Sequence, residues 1–169
     1  MKNVQKHIIV ARVNNRPGVV SRISGLFTRR GYNIENLITG TTETDKIYHM
    51  TITMFSTREE VDLLVRQLER ITDVIEVYIG DSSGAEDLIT TELMFICVKC
   101  PVGSRHEVTR TADNLDARIA GIRDDAVIVE VTGNDARLES AIAAFSAFGD
   151  LEIIRSGTMA VSGTHPHEA

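Results

Sequence analysis

The apolar residues of this chain run twice through the same order of periods, and that repetition restricts the fold more than any other feature. Ile8-Ile9-Val10-Ala11-Arg12-Val13 reads as a strand and Asn14-Asn15-Arg16-Pro17-Gly18 as a turn. Val19, Val20, Ile23, Leu26 and Phe27 then recur at the spacing of one helical face, closed by Gly31, which suits a left-handed cap. Strand patterns follow at 33–41 and 47–55, the second with Tyr48, Met50, Ile52 and Met54 on one face. A helix over 58–71 carries Val61, Leu64, Val65 and Leu68 on one stripe, and a strand over 74–79 completes the set. The order is βαββαβ.

The second half repeats it: strand 92–99, helix from about 104 to 114, strands 117–122 and 126–132, helix 135–145 and strand 151–156. Asp124-Asp125 supplies a hairpin turn and Asn134 a helix cap. Between the halves, Ile79-Gly80-Asp81-Ser82-Ser83-Gly84-Ala85-Glu86-Asp87 has neither period and reads as a linker. A length of 169 residues suits two units of this size. The expected fold is therefore α+β, two tandem ferredoxin-like units, each a four-stranded antiparallel sheet with both helices on one face. The expected division is 1–80, a linker at 81–90, a second unit at 91–158 and a flexible tail at 159–169, where Gly, Pro and a short length suggest disorder.

Such a unit leaves one sheet face bare, yet Ile8 and Val10 oppose Ile9, Ala11 and Val13, and Leu93-Met94-Phe95-Ile96-Cys97-Val98 is apolar without alternation. Both faces of these strands call for burial, so association with another copy or another chain is expected. Side-by-side pairing through the first strand and first helix, giving a continuous sheet, is the expected route.

Charge narrows the partners. The net charge is -6, divided as 11 Lys+Arg against 9 Asp+Glu in residues 1–80 and 7 against 15 in 81–169. A chain built to grip phosphate backbone needs clustered bases, so generic nucleic-acid binding is disfavoured. Aromatic residues are 5% of the chain and no RNP-like run occurs, which also disfavours an RNA-binding sheet. No apolar stretch reaches the length of a membrane span and the N-terminus has no signal-peptide core, so a cytoplasmic location is expected. Two cysteines do not make a disulfide framework.

Chemistry is sparse. Cys97-Val98-Lys99-Cys100 has the spacing of a redox pair or zinc half-site, but it continues an apolar strand and no second Cys pair exists, so two small residues at a strand end is the favoured reading. His7, His49, His106, His165 and His167 are scattered, and no nucleophile-elbow, P-loop or dinucleotide motif occurs. No catalytic or metal-ligating residue is assigned. The turn before the first helix differs in kind. Pro17 suits an early helical position, Gly18 allows close approach, and free amides of Gly18, Val19 and Val20 would face outward at the positive end of the helix dipole. That is a carboxylate site, or simply a well-capped helix without a ligand.

Asn15-Arg16-Pro17-Gly18-Val19-Val20-Ser21-Arg22-Ile23, with Gly25-Leu26-Phe27-Thr28-Arg29-Arg30-Gly31-Tyr32-Asn33-Ile34-Glu35-Asn36-Leu37, resembles the small regulatory subunit of acetolactate synthase (acetohydroxyacid synthase), whose first half is an amino-acid-binding ACT domain. The linker, the helix near Arg105-His106-Glu107-Val108 and Glu152-Ile153-Ile154-Arg155-Ser156-Gly157 extend the resemblance over nearly the whole chain; Arg16-Pro17 is its clearest departure. The resemblance implies a non-catalytic subunit of a transferase acting in valine, leucine and isoleucine synthesis. It would bind a catalytic large subunit that holds thiamine diphosphate, FAD and Mg2+, raise its activity, and confer feedback inhibition by a branched-chain amino acid, usually valine. It would need no cofactor itself and would dimerise through its ACT domains. The effector's carboxylate is expected at Gly18, Val19 and Val20, its ammonium at Asn15 and Asn33, and its side chain on Val20 and Ile34, in a site shared by two copies. The other reading is a free-standing ACT sensor without the thiamine enzyme as partner.

Overall fold

The computed structural model describes residues 3–81 and 88–163. The chain divides into two compact units, Met1–Ile89 with Met159–Ala169, and Thr90–Thr158. Among the described residues no helix is long and apolar enough to cross a membrane.

In the first unit the elements are β1 (Gln5–Asn14), α1 (Val19–Arg30), β2 (Asn36–Thr41), β3 (Ile47–Ser56), α2 (Arg58–Leu68) and β4 (Val74–Asp81). The sheet is antiparallel with order β2-β3-β1-β4. One face of β1, carrying Ile9, Ala11 and Val13, meets Met50, Ile52 and Met54 of β3 and the buried stripes Ile23, Leu26, Phe27 of α1 and Val61, Leu64, Leu68 of α2. The two helical periods and the two-residue strand period thus converge on one core, as expected. Gly31 caps α1 in the left-handed region at φ 71°, donating its N–H to Phe27 and Thr28 carbonyls. Thr57 and Glu60 form a reciprocal capping box at the start of α2. Thr57→Ala removes the hydroxyl that accepts from Glu60 N–H and is expected to cost about 1 kcal/mol, read as a shift in the urea midpoint of the first unit.

Two boundaries and one pairing differ from the sequence reading. The chain from Tyr32 to Ile34 is not strand, and β2 begins at Asn36, because the segment leaving the Gly31 cap must first turn back onto the sheet. The helix of α2 ends at Leu68, and Ile71 closes a turn by donating to the Leu68 carbonyl and accepting from Val74 N–H. More consequential for assembly, β1 is interior: β3 and β4 pair along its two sides. It has no free edge, so the expected side-by-side pairing through the first strand is ruled out, and the sheet's outer positions belong to β2 and β4.

The expected tail is the largest correction. Met159–Ser162 form a strand, β9, whose Ala160 is 1% exposed. It packs with Leu88 and Tyr78 over Ile8 and Val10, the outward-facing residues of β1. Ala160 N–H donates to Thr51 Oγ1 at 3.2 Å, and Ser162 N–H donates to the Tyr78 hydroxyl at 3.3 Å. The chain itself therefore covers a face expected to need a partner. Residues 164–169, including His165 and His167, lie outside the described residues.

The second unit contains the rest of β5 (Leu88–Lys99), α3 (Arg105–Asn114), β6 (Arg118–Ile122), β7 (Ala126–Gly133), α4 (Asp135–Phe145) and β8 (Leu151–Arg155). Its strands are ordered β6-β7-β5-β8. Met94, Ile96 and Val98 of β5 and Val127, Val129 and Val131 of β7 pack against Val108, Ala112, Leu138, Ala141 and Phe145 of the two helices. The strand β5 starts at Leu88, so residues 88–90 of the expected linker are strand, as is Asp81; 82–87 lie outside the described residues. Asn134 caps α4 by accepting from Arg137 N–H. Both units follow the βαββαβ order.

Candidate effector site

The turn from β1 to α1 is pinned on both flanks. Asn14 N–H donates to the Asp73 carbonyl ahead of β4, and Asn15 N–H donates to Lys46 in the β2–β3 turn, each at 2.7 Å. The Asn15 side-chain amide also donates to the Asp45 carbonyl at 2.8 Å. Gly18 stands at the N-cap with φ 84°, where a β-carbon is strained, and α1 has neither a side-chain cap nor an acid in its first turn. Among the described residues, no side-chain carboxylate caps the positive end of the helix.

Of the three amides expected to face outward, one is committed: Val19 N–H donates to the Arg16 carbonyl at 3.1 Å, closing the Pro17–Gly18 turn. Val19 is itself buried. Gly18 and Val20 remain the amides the turn offers.

Two arginines stand beside the turn and share one carboxylate, a feature the sequence reading did not assign. Arg16 lies 3.4 Å from the Asp73 carboxylate, and Arg22 pairs with its other oxygen. Asp73 is 6% exposed, and a depression of about 680 Å3 bounded by Arg16, Pro17, Arg22, Arg70 and Asp73 adjoins the turn. Nothing local in the sequence links positions 22 and 73, which are 51 residues apart.

The other expected site residues lie elsewhere. Asn33 is exposed beyond the C-terminal end of α1, and Ile34 is half-buried against the first core, as is Val20. A helix of 12 residues is about 18 Å long, so one chain does not bring Asn33 and Ile34 to Gly18 and Val20. A single copy supplies two half-sites, one at each end of α1.

The two cysteines are free thiols, Cys97 half-exposed and Cys100 packed in the second core, on opposite sides of the strand line. Among the described residues no three His, Cys, Asp or Glu side chains are grouped to hold a metal ion.

Comparison with known proteins covers both units. Residues 9–76 match the family described as AHAS small subunit-like ACT domain, and residues 91–164 the family described as small subunit of acetolactate synthase. A protein of Archaeoglobus fulgidus with the name "Probable acetolactate synthase small subunit" is 36% identical over 156 residues, covering 92% of this chain and 96% of its own length. The acetolactate synthase small subunit of Bacillus subtilis is 35% identical over 156 residues, 92% of this chain and 89% of that protein. The crystal structure of the Thermotoga maritima small subunit superposes with a TM-score of 0.82 at 23% identity, covering 96% of this chain and 99% of that one, and so shares the fold. With both halves matched in order and nearly the whole length aligned, the chain belongs to the acetolactate synthase small subunit family, its first unit an ACT domain.

Proposed function

We propose that this chain is the regulatory subunit of acetolactate synthase: it docks on the catalytic large subunit, raises its activity and makes it sensitive to a branched-chain amino acid, valine foremost. The observation that carries the effector site is the N-terminus of α1 at Gly18, with no side-chain cap and no acid in its first turn, flanked by Arg16 and Arg22, which share Asp73. The effector's carboxylate accepts from the Gly18 and Val20 amides, and its ammonium meets side-chain or carbonyl oxygens at Asn15 and at Asn33 of a second copy. Its branched side chain rests on Val20 and that copy's Ile34.

This division requires a homodimer of ACT domains. Pairing through the edge strand β2, which follows Asn33 and Ile34 directly, extends the sheet and carries those residues toward the neighbouring turn. Catalysis, with thiamine diphosphate, FAD and Mg2+, belongs to the large subunit in this reading, and this chain holds no cofactor. Inhibition then arises from a differential affinity of valine for two arrangements of the holoenzyme.

A free-standing sensor is the competing reading, and the match of the second unit to the small-subunit family weighs against it. Co-purification separates the two. The full chain mixed with the catalytic large subunit is expected to elute as one complex in size-exclusion chromatography. A chain that binds valine but elutes apart from the large subunit contradicts the proposal.

A further inference from the structure

The helix layer of the first unit carries a charge opposite in sign to that of the chain. Residues 16–30 hold Arg16, Arg22, Arg29 and Arg30 and no acid, and residues 66–73 hold Arg66 and Arg70 with Glu69 and Asp73, in a chain of net charge -6. All six arginines are exposed. One of the two acids, Asp73, is buried and already shared by Arg16 and Arg22. The other four arginines have only Glu69 beside them in these segments.

The two helices bring these segments together. Both α1 and α2 pack on the same core, and Arg30 Nε donates to Gln67 Oε1 at 3.3 Å across them. Arg22 reaches Asp73, just past α2, and Arg16, Arg22 and Arg70 border one depression. Arg22 and Arg29 are two turns apart on one side of α1, with the Arg29 guanidinium lying over Gly25. On α2, Leu63 and Arg66 point away from the buried stripe of Val61, Leu64, Val65 and Leu68, and Leu63 is 40% exposed. Among the described residues, Arg29, Arg66 and Arg70 have no acid partner.

A helix face meant only for water mixes lysines and acids so that opposite charges offset each other. This one is arginine without lysine around an exposed leucine, the composition of a protein interface, where arginine is enriched and lysine depleted. Guanidinium forks fit carboxylates. The rest of the chain is acidic and repels an extended polyanion, and two copies meeting through this face repel each other. A different chain with a compact acidic patch is the occupant that remains. We propose that the arginine face of α1 and α2 docks on an acidic surface of the catalytic large subunit, an inference that rests on the regulatory reading above.

The test measures the concentration of full chain that half-activates acetolactate formation by the purified large subunit, without valine, at low and high KCl. For the wild type it should rise as salt screens the contact. Arg29→Glu/Arg66→Glu, at two exposed positions outside the proposed effector contacts, should raise it at least about tenfold at low salt and blunt its salt dependence, with an unchanged tyrosine-fluorescence midpoint in urea. Arg29→Lys/Arg66→Lys keeps the charge but loses the fork and should fall in between. A charge-reversed chain that activates at the wild-type concentration overturns the docking surface and leaves the regulatory role standing. Weaker activation accompanied by a change in the chain's own sedimentation, without the large subunit, assigns the face to a second copy and also overturns it. A wild-type chain that does not activate removes the regulatory role and the docking surface with it.

Discussion

Replacing Gly18 with aspartate is expected to abolish valine binding to the full chain while leaving the first unit folded. Gly18 has φ 84°, and aspartate tolerates the left-handed region better than most side chains, so the backbone strain is of order 1 kcal/mol. Aspartate at an N-cap also accepts from the amides of the following turn, which offsets that cost. The same carboxylate then occupies the donors an effector needs and repels the effector's own carboxylate at close range. Loss of two charge-assisted hydrogen bonds at roughly 1.5–3 kcal/mol each corresponds to at least about a hundredfold weaker binding. Gly18→Ala adds strain but no competing carboxylate and should lose less. Unchanged valine affinity in Gly18→Asp, measured by calorimetry, removes the assignment of the turn as the site.

A chain ending at Thr158 is expected to lose a large part of the stability of its first unit and little of the second. Without β9, Ile8 and Val10 lose the cover of Ala160, and Thr51 and Tyr78 lose the backbone donors of Ala160 and Ser162. At ~25 cal/mol per Å2, re-exposing on the order of 100 Å2 of apolar surface costs about 2–3 kcal/mol, and the two lost hydrogen bonds add to it. The readout is built in, since the chain has no tryptophan and its three tyrosines, Tyr32, Tyr48 and Tyr78, all lie in the first unit. Tyrosine fluorescence in urea therefore follows that unit alone, and its midpoint should fall clearly below that of the full chain. An unchanged midpoint would show that β9 adds nothing to the sheet it lies on. The same packing bears on dissection, since a fragment of residues 1–80 lacks both Leu88 and Ala160.

Where a sequence signal was a period, the structure follows it. The stripe of α2, the inward residues of β1 and β3, and the Gly31 cap are legible because each depends on neighbours within a few positions. What escaped is non-local. A run as short as Met159-Ala160-Val161 shows no period of its own, and its role as a strand depends on Ile8 and Val10 about 150 residues earlier. The interior position of β1 follows from pairing order, on which the hydrophobic pattern of one strand is silent. The same holds for the Arg22–Asp73 pair. At the turn, glycine and proline chemistry marked the start of α1 but not the Val19 amide, which is spent in closing the turn itself.

The proposed valine control of a catalytic partner through the α1 turn is read from the rate of acetolactate formation by the purified large subunit, alone and with this chain, across a valine titration. The full chain should raise the rate and impose valine inhibition, and Gly18→Asp should still raise the rate while the inhibition disappears. A large subunit whose rate is unaffected by the full chain would exclude the regulatory role, and a Gly18→Asp holoenzyme inhibited by valine like the wild type would exclude the α1 turn as the site.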